Sequence, residues 1–161
     1  MIPAGWKMNN KEGFTLTELL IVIAVLAILV MIAAPAYLGY QKRAVRAEAF
    51  SNLQGLRLLE EQYLAENGTY APTTGTAGAN QFANVSIINT GPPPILPGFL
   101  PGVGTTLKYS YQIIQNQQIT ATNPLAYAAL TPCFTAIATA NTGNPVTGDI
   151  FAIDCKNTRN F

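Results

Sequence analysis

The chain has 161 residues, enough for one globular domain and an additional segment, with a formal net charge of +1 and 11% charged against 49% hydrophobic residues. That balance excludes binding of nucleic acid through a basic patch. The absence of histidine removes the commonest general base and metal ligand, so no nucleophile–base constellation can be assembled, and neither an enzyme nor a cofactor is expected.

Residues 1–13 form a short leader carrying Lys7, Lys11 and Glu12 and ending in Gly13. Phe14-Thr15-Leu16-Thr17-Glu18 follows, and then residues 19–36 are apolar without interruption. Eighteen residues at helical rise span roughly 27 Å, close to the hydrocarbon thickness of a bilayer. A secretory signal core is shorter, typically about 7–15 residues, although the small residues of Ala33-Ala34-Pro35-Ala36-Tyr37 keep a conventional cleaved signal as a lesser reading. Glu18 at the head of this run has two readings. Thr15 and Glu18 are spaced as a capping box, and a carboxylate suits a helix N-terminus. Alternatively, a carboxylate drawn into an apolar environment needs a cation.

The stretch GFTLTELLIVIAVLAILVMIAAPAYLGYQKRAVRAEAF closely resembles the amino terminus of type IV pilins and pseudopilins. The pattern is a basic leader ending in Gly13, then Phe14, Glu18 four residues on, and an apolar helix with Pro35 near its end. The resemblance implies cleavage by a prepilin peptidase between Gly13 and Phe14 and N-methylation of Phe14. It also implies subunit assembly through Glu18 paired with the Phe14 amine of a neighbouring subunit. Family leaders are short, so Met8 is an alternative start to Met1. Lys42, Arg43 and Arg46 outnumber the leader lysines, and the positive-inside rule alone is equivocal. The resemblance instead places the leader in the cytoplasm. Pro35 removes one helical hydrogen bond and predicts a helix break or kink. Related pili often carry an earlier glycine, but none lies between Phe14 and Ala36 here.

Beyond Tyr37 the pattern becomes amphipathic. Tyr37, Tyr40, Ala44, Ala47, Phe50, Leu53, Leu56, Leu59 and Tyr63 recur at helical spacing, and Arg57 and Glu61 can pair on the outer face. Asn67-Gly68 is a helix stop. The resemblance extends over 46–70, since pilins commonly carry such a segment ending in NGTY. Asn67-Gly68-Thr69 and Asn84-Val85-Ser86 also fit the glycosylation acceptor pattern, with the helix-stop reading preferred for Asn67.

Residues 68–106, rich in Gly, Pro, Thr and Asn, predict a long irregular connection. Alternation then predicts about four strands, over 107–114, 118–122, 133–140 and 149–155, with turns at 115–117 and 141–148. Cys133 and Cys155 fall at neighbouring ends of the last two strands, compatible with a disulfide if this part leaves the cytoplasm; two buried thiols are the alternative. Pilins often have such a C-terminal disulfide loop. The only aspartates, Asp149 and Asp154, are thin support for calcium, and no metal is expected.

The expected fold is α+β. A long N-terminal helix, membrane-spanning and then amphipathic, packs on an antiparallel sheet of about four strands. The expected organisation is a leader at 1–13, a membrane or fibre-core half-helix at 14–40 and an amphipathic half-helix at 41–67. An irregular loop at 68–106 and the sheet with its disulfide loop at 107–161 complete it. The resemblance implies a structural subunit of a type IV pilus filament. Fibres of this family serve adhesion, motility or DNA uptake. Its implied partners are copies of itself, the prepilin peptidase, an assembly platform with motor ATPases, and inner-membrane lipid before assembly. Its implied location is the inner membrane with a periplasmic C-terminal domain, then the extracellular fibre. A pseudopilin of a type II secretion system is the alternative, favoured less by the cysteine pair and the long loop. A helix-anchored adhesin that never polymerises is a third class.

Overall fold

The computed structural model describes residues 13–75, 81–90, 95–102 and 107–161. Leader residues 1–12, with Lys7, Met8 and Lys11, lie outside them, as do parts of the Gly- and Pro-rich connection. The chain divides into two compact units between Tyr40 and Gln41, and helix α1, Leu16–Asn67, contributes to both.

In the first unit the helix is apolar on every side. Residues from Leu16 to Tyr40 are exposed throughout, and by length and composition the helix can cross a membrane. Helical assignment continues through Pro35.

In the second unit α1 buries Ala49, Leu53, Leu56 and Glu60. Their spacing alternates four, three and four residues, which keeps them on one face of a helix with 3.6 residues per turn. This corrects the expected stripe. Ala44 and Ala47 are exposed, and Val45 and Ala49 face the core instead. Steps of three residues drift by about 60° each around a helix, so a line drawn at constant i+3 spacing leaves the buried face. Phe50 stays at the margin, stacked on Phe161 with ring centroids 4.4 Å apart. The helix ends at Asn67, where Gly68 takes φ 74° and donates its N–H to the Leu64 carbonyl at 2.8 Å. A left-handed residue just past the last turn is the conformation glycine adopts without steric cost.

The sheet has three strands rather than about four, in the order β1-β2-β3, all antiparallel: β1 Tyr109–Thr122, β2 Leu125–Ala140 and β3 Ile150–Asp154. The two strands expected over 107–122 are one strand. Its register shifts between Gln115 and Gln117, where Asn116 has φ 56°, and again between Ile119 and Ala121. A bulge therefore occupies the place expected for a turn. The true turn is Asn123-Pro124, and β2 begins eight residues before Cys133. Pro132 is tolerated within β2 because it falls in the gap of the β1 register and beyond the reach of β3, which pairs only with residues 135–139. The expected turn over 141–148 is present. Asn144 and Thr147 brace it by hydrogen bonds, and the Ala140 N–H donates to the Asp149 carbonyl at 2.9 Å.

The connection over 68–106 is not wholly irregular. It contains helix α2, Gln81–Thr90, which buries Asn84 and Ile88 one turn apart. Before α2, Thr74 pairs with Ile113 through two backbone hydrogen bonds of 2.9 Å, covering part of the β1 edge. Asn84 is 2% exposed, which leaves the second glycosylation pattern out of reach of a modifying enzyme in the folded chain.

Two charged side chains fasten the carboxy-terminal end. Arg46 on α1 holds Asp149 through two hydrogen bonds of 2.6 and 2.9 Å, and the Tyr109 hydroxyl donates to the same carboxylate at 3.3 Å. Burial, then the Asp149 charge, pushes the Tyr109 phenol well up. Asp154 is fully buried and accepts three backbone N–H groups: Ile119 at 3.0 Å, Lys156 at 2.9 Å and Thr158 at 2.8 Å. Both aspartates thus have structural partners. Asp154→Ala leaves three donors without acceptors and is expected to destabilise the chain by about 2–4 kcal/mol. Denaturant unfolding of the full chain in detergent checks this, and an unchanged midpoint would contradict it.

Candidate assembly helix and disulfide loop

The head of α1 is built by its sequence. Thr15 is the N-cap, and Glu18 is the third helical residue. The Glu18 N–H donates to Thr15 Oγ1 at 3.2 Å, and the Thr15 N–H donates to Glu18 Oε2 at 2.9 Å. This is the reciprocal capping box. Thr15 Oγ1 also donates to Glu18 Oε2 at 2.8 Å and lies 3.1 Å from Thr17 Oγ1. Both bonds from Thr15 fall on one carboxylate oxygen. Every member of the cluster is exposed.

Gly13 and Phe14 precede the first helical turn, outside regular secondary structure, and Phe14 is 83% exposed. A peptide bond in such a segment is accessible to a protease, whereas one inside a helix is not. The structure therefore gathers Gly13, Phe14 and Glu18 at one helix end, with Pro35 in the same unit further along α1.

The cysteines belong to the second unit. Cys133 lies in β2 and is fully buried; Cys155 follows β3 directly. They form a disulfide with a Cα–Cα distance of 5.4 Å. The Cys155 N–H donates to the Phe134 carbonyl at 3.2 Å, and the Phe134 ring packs on Tyr70 with centroids 4.9 Å apart. The bridge thus ties β2 to the end of β3, next to where Phe134 meets the segment leaving α1. Among the described residues no group of three or more metal-ligating side chains occurs.

Residues 8–34 match the family model described as the prokaryotic N-terminal methylation motif. The chain is also similar to the fimbrial protein EcpC of Eikenella corrodens, 36% identical over 80 residues, which is 50% of this chain and 52% of the relative. It is 54% identical over 50 residues to a fimbrial protein of Moraxella nonliquefaciens, covering 31% of this chain and 32% of the relative. It is 39% identical over 72 residues to the type IV major pilin protein PilE1 of Neisseria gonorrhoeae, covering 44% of each. The amino-terminal segment carries this methylation motif and is similar to that of fimbrial proteins and type IV major pilins. The chain spans about half the length, or less, of the curated relatives it matches. No solved structure matches it.

Sequence reasoning did not find the buried acid Glu60, nor the anchoring role of Asp154. Glu60 has a positional signal, since it continues the stripe of Ala49, Leu53 and Leu56. Glu61 does not pair with Arg57 as expected. It accepts a long hydrogen bond of 3.4 Å from the Tyr70 hydroxyl, and Arg57 Nε is buried without a partner among the described residues. The reason is tertiary. Tyr70 folds back against this face of α1, which an isolated-helix argument cannot anticipate.

The disulfide closes a loop with a sequence separation of 22, worth about 3 kcal/mol in the chain-entropy description. Reduction under non-denaturing conditions should lower the unfolding midpoint accordingly. Equal thermal stability with and without reductant would contradict that contribution.

Proposed function

We propose that this chain is a structural subunit of a type IV pilus filament that polymerises through its N-terminal helix. The observation that carries this reading is the first unit itself. Its helix exposes a continuous apolar surface, including Leu19, Ile21, Val25, Ile28, Val30 and Ile32, each at least half exposed. Such a surface is stable only when lipid or other helices cover it. The fimbrial and pilin names of the relatives favour a pilus subunit over a secretion pseudopilin, and they favour a structural role over catalysis.

In the proposed sequence the precursor sits in the inner membrane with residues 1–13 in the cytoplasm and the second unit in the periplasm. A prepilin peptidase cuts between Gly13 and Phe14 and methylates the new amine. The leader, with Lys7 and Lys11, is thereby removed from the path into an apolar fibre core, and a cation is created at Phe14. Glu18 then has two roles. As the cap of its own helix it holds the first turn. Within a water-poor core, where an unpaired carboxylate costs several kcal/mol, it pairs with the Phe14 amine of a neighbouring subunit. The cap leaves room for this, because both bonds from Thr15 share Oε2. Assembly would take place on a platform driven by separate motor ATPases, and the finished fibre would lie outside the cell.

Glu18→Val removes the intersubunit partner while making the precursor helix more apolar. Leader cleavage should proceed normally, and the yield of sheared filaments should fall at least tenfold, as scored by electron microscopy and by mass spectrometry of the N-terminal peptide. Wild-type filaments should yield a peptide starting at methylated Phe14. Normal fibre yield from the variant would refute the role of Glu18. Confinement of wild-type chain to the envelope would refute the pilus reading.

A further inference from the structure

Glu60 and Asp154 are both acidic side chains with no solvent exposure, yet they are solvated by the protein in opposite ways. Asp154 accepts three backbone N–H groups, so both of its oxygens are satisfied. Among the described residues Glu60 accepts one, from Ala71 to Oε2 at 2.9 Å, and its Oε1 is buried without a partner. A single donor is poor compensation for a buried charge and is adequate for a neutral acid. We infer that Glu60 is a proton-operated latch: as a neutral acid it holds residues 70–75 against α1 and over the β1 edge, and on ionisation it releases them.

The charged and titratable groups around it agree. On its own helix these are Glu61, which disfavours a second negative charge, and Arg57, whose Nε makes no hydrogen bond. On the segment it holds there is Tyr70, whose hydroxyl is bonded to Glu61. The strand side contributes Phe134 against the Tyr70 ring and Gln115 donating to the Tyr70 carbonyl at 2.6 Å, neither of which titrates. Burial first, with Glu61 adding to it and the Ala71 N–H opposing it, raises the Glu60 carboxyl from 4.5 to about 7.

What the latch holds is an edge cover. Directly after Ala71, Thr73 Oγ1 accepts the Gln115 N–H at 3.0 Å, and Thr74 exchanges two backbone bonds with Ile113. The Gly75 carbonyl accepts from Gln112 at 3.3 Å. Freeing the Ala71 end loosens this short strip and exposes backbone groups of an edge strand, which are competent to pair with another chain. The sign follows from linkage. The closed segment favours the protonated acid, so its hold is complete below about pH 4.5 and declines as pH rises to about 7. With those two values the opening equilibrium grows about tenfold between pH 6 and pH 8.

Hydrogen–deuterium exchange of the full chain in detergent micelles, corrected for intrinsic exchange, tests this between pH 6 and pH 8. Amides 70–75 of the wild type should lose protection about tenfold, while amides 135–139 of β2 keep theirs. Glu60→Gln, neutral at every pH, should abolish the dependence. Protection independent of pH in the wild type, or the same dependence in Glu60→Gln, overturns the latch. Should that variant not fold, carbon-detected titration of the Glu60 carboxyl in the wild type decides. A midpoint near 7 that tracks the loss of protection supports the latch, and one below 5 overturns it.

Discussion

An apolar helix surface exposed along its whole length is the constraint on which this molecule turns. Burial of apolar area stabilises by about 25 cal/mol per Å2, so a run of eighteen such residues left in water is a large standing penalty. A soluble fold removes that penalty by wrapping a hydrophobic helix in its own layers. Here the residues from Leu16 to Tyr40 are exposed without exception, and the covering medium must come from outside the chain. A bilayer and a bundle of like helices offer the same apolar contact. Transfer from one to the other therefore turns on groups that the two media treat differently, and Glu18 is the acidic residue at the head of this helical run.

The second unit is stabilised in the ordinary way, by a helix stripe packed on one face of a twisted sheet. Ala49, Leu53 and Leu56 meet Tyr109, Tyr111, Ile113 and Phe134 in one core. The other face of the sheet is covered differently. The bulged end of β1 and its turn bring Ile119 onto Ile137 and Ala152, with Leu125 and Tyr127 at the margin. Asp154 fixes that arrangement by accepting the Ile119 N–H. The register shifts in β1 are thus what lets a three-stranded sheet bury residues on both faces without a second helix layer.

Much of this was legible in the sequence because the responsible physics is local. The apolar run, the Thr15–Glu18 spacing and the Asn67-Gly68 stop each depend on residues within a turn or two of one another, and each matches the structure. The cysteine pairing was compatible with strand order alone. What could not be read depends on tertiary context. Helix α2, with its β-branched Val85, Ile87 and Ile88, has poor intrinsic propensity and exists with Ile88 buried in the core. The first half of β2, rich in alanine and ending at Pro132, lacks a strand signature and is held by its pairing to β1. Asn116 carries the left-handed backbone that turns an expected hairpin into a bulge, and asparagine tolerates that conformation in either setting.

The placement of charge ties these observations together. No charged residue lies between Glu66 and Lys108, nor between Lys108 and Asp149, so two stretches of some forty residues each carry no charge of their own. The charged groups of the second unit stand where those stretches are fastened. Glu61 receives the chain just after α1 through the Tyr70 hydroxyl, beside the uncharged hold of Glu60 on Ala71. Arg46 grips Asp149 where the uncharged sequence ends, and Asp154 closes the final turn. Charge-assisted bonds are stronger and more directional than neutral ones, and a few of them at the ends of a segment restrict it more than the same number spread along it. The exposed surface between these anchors is left neutral, free of the like-charge repulsion that would oppose close packing between identical copies.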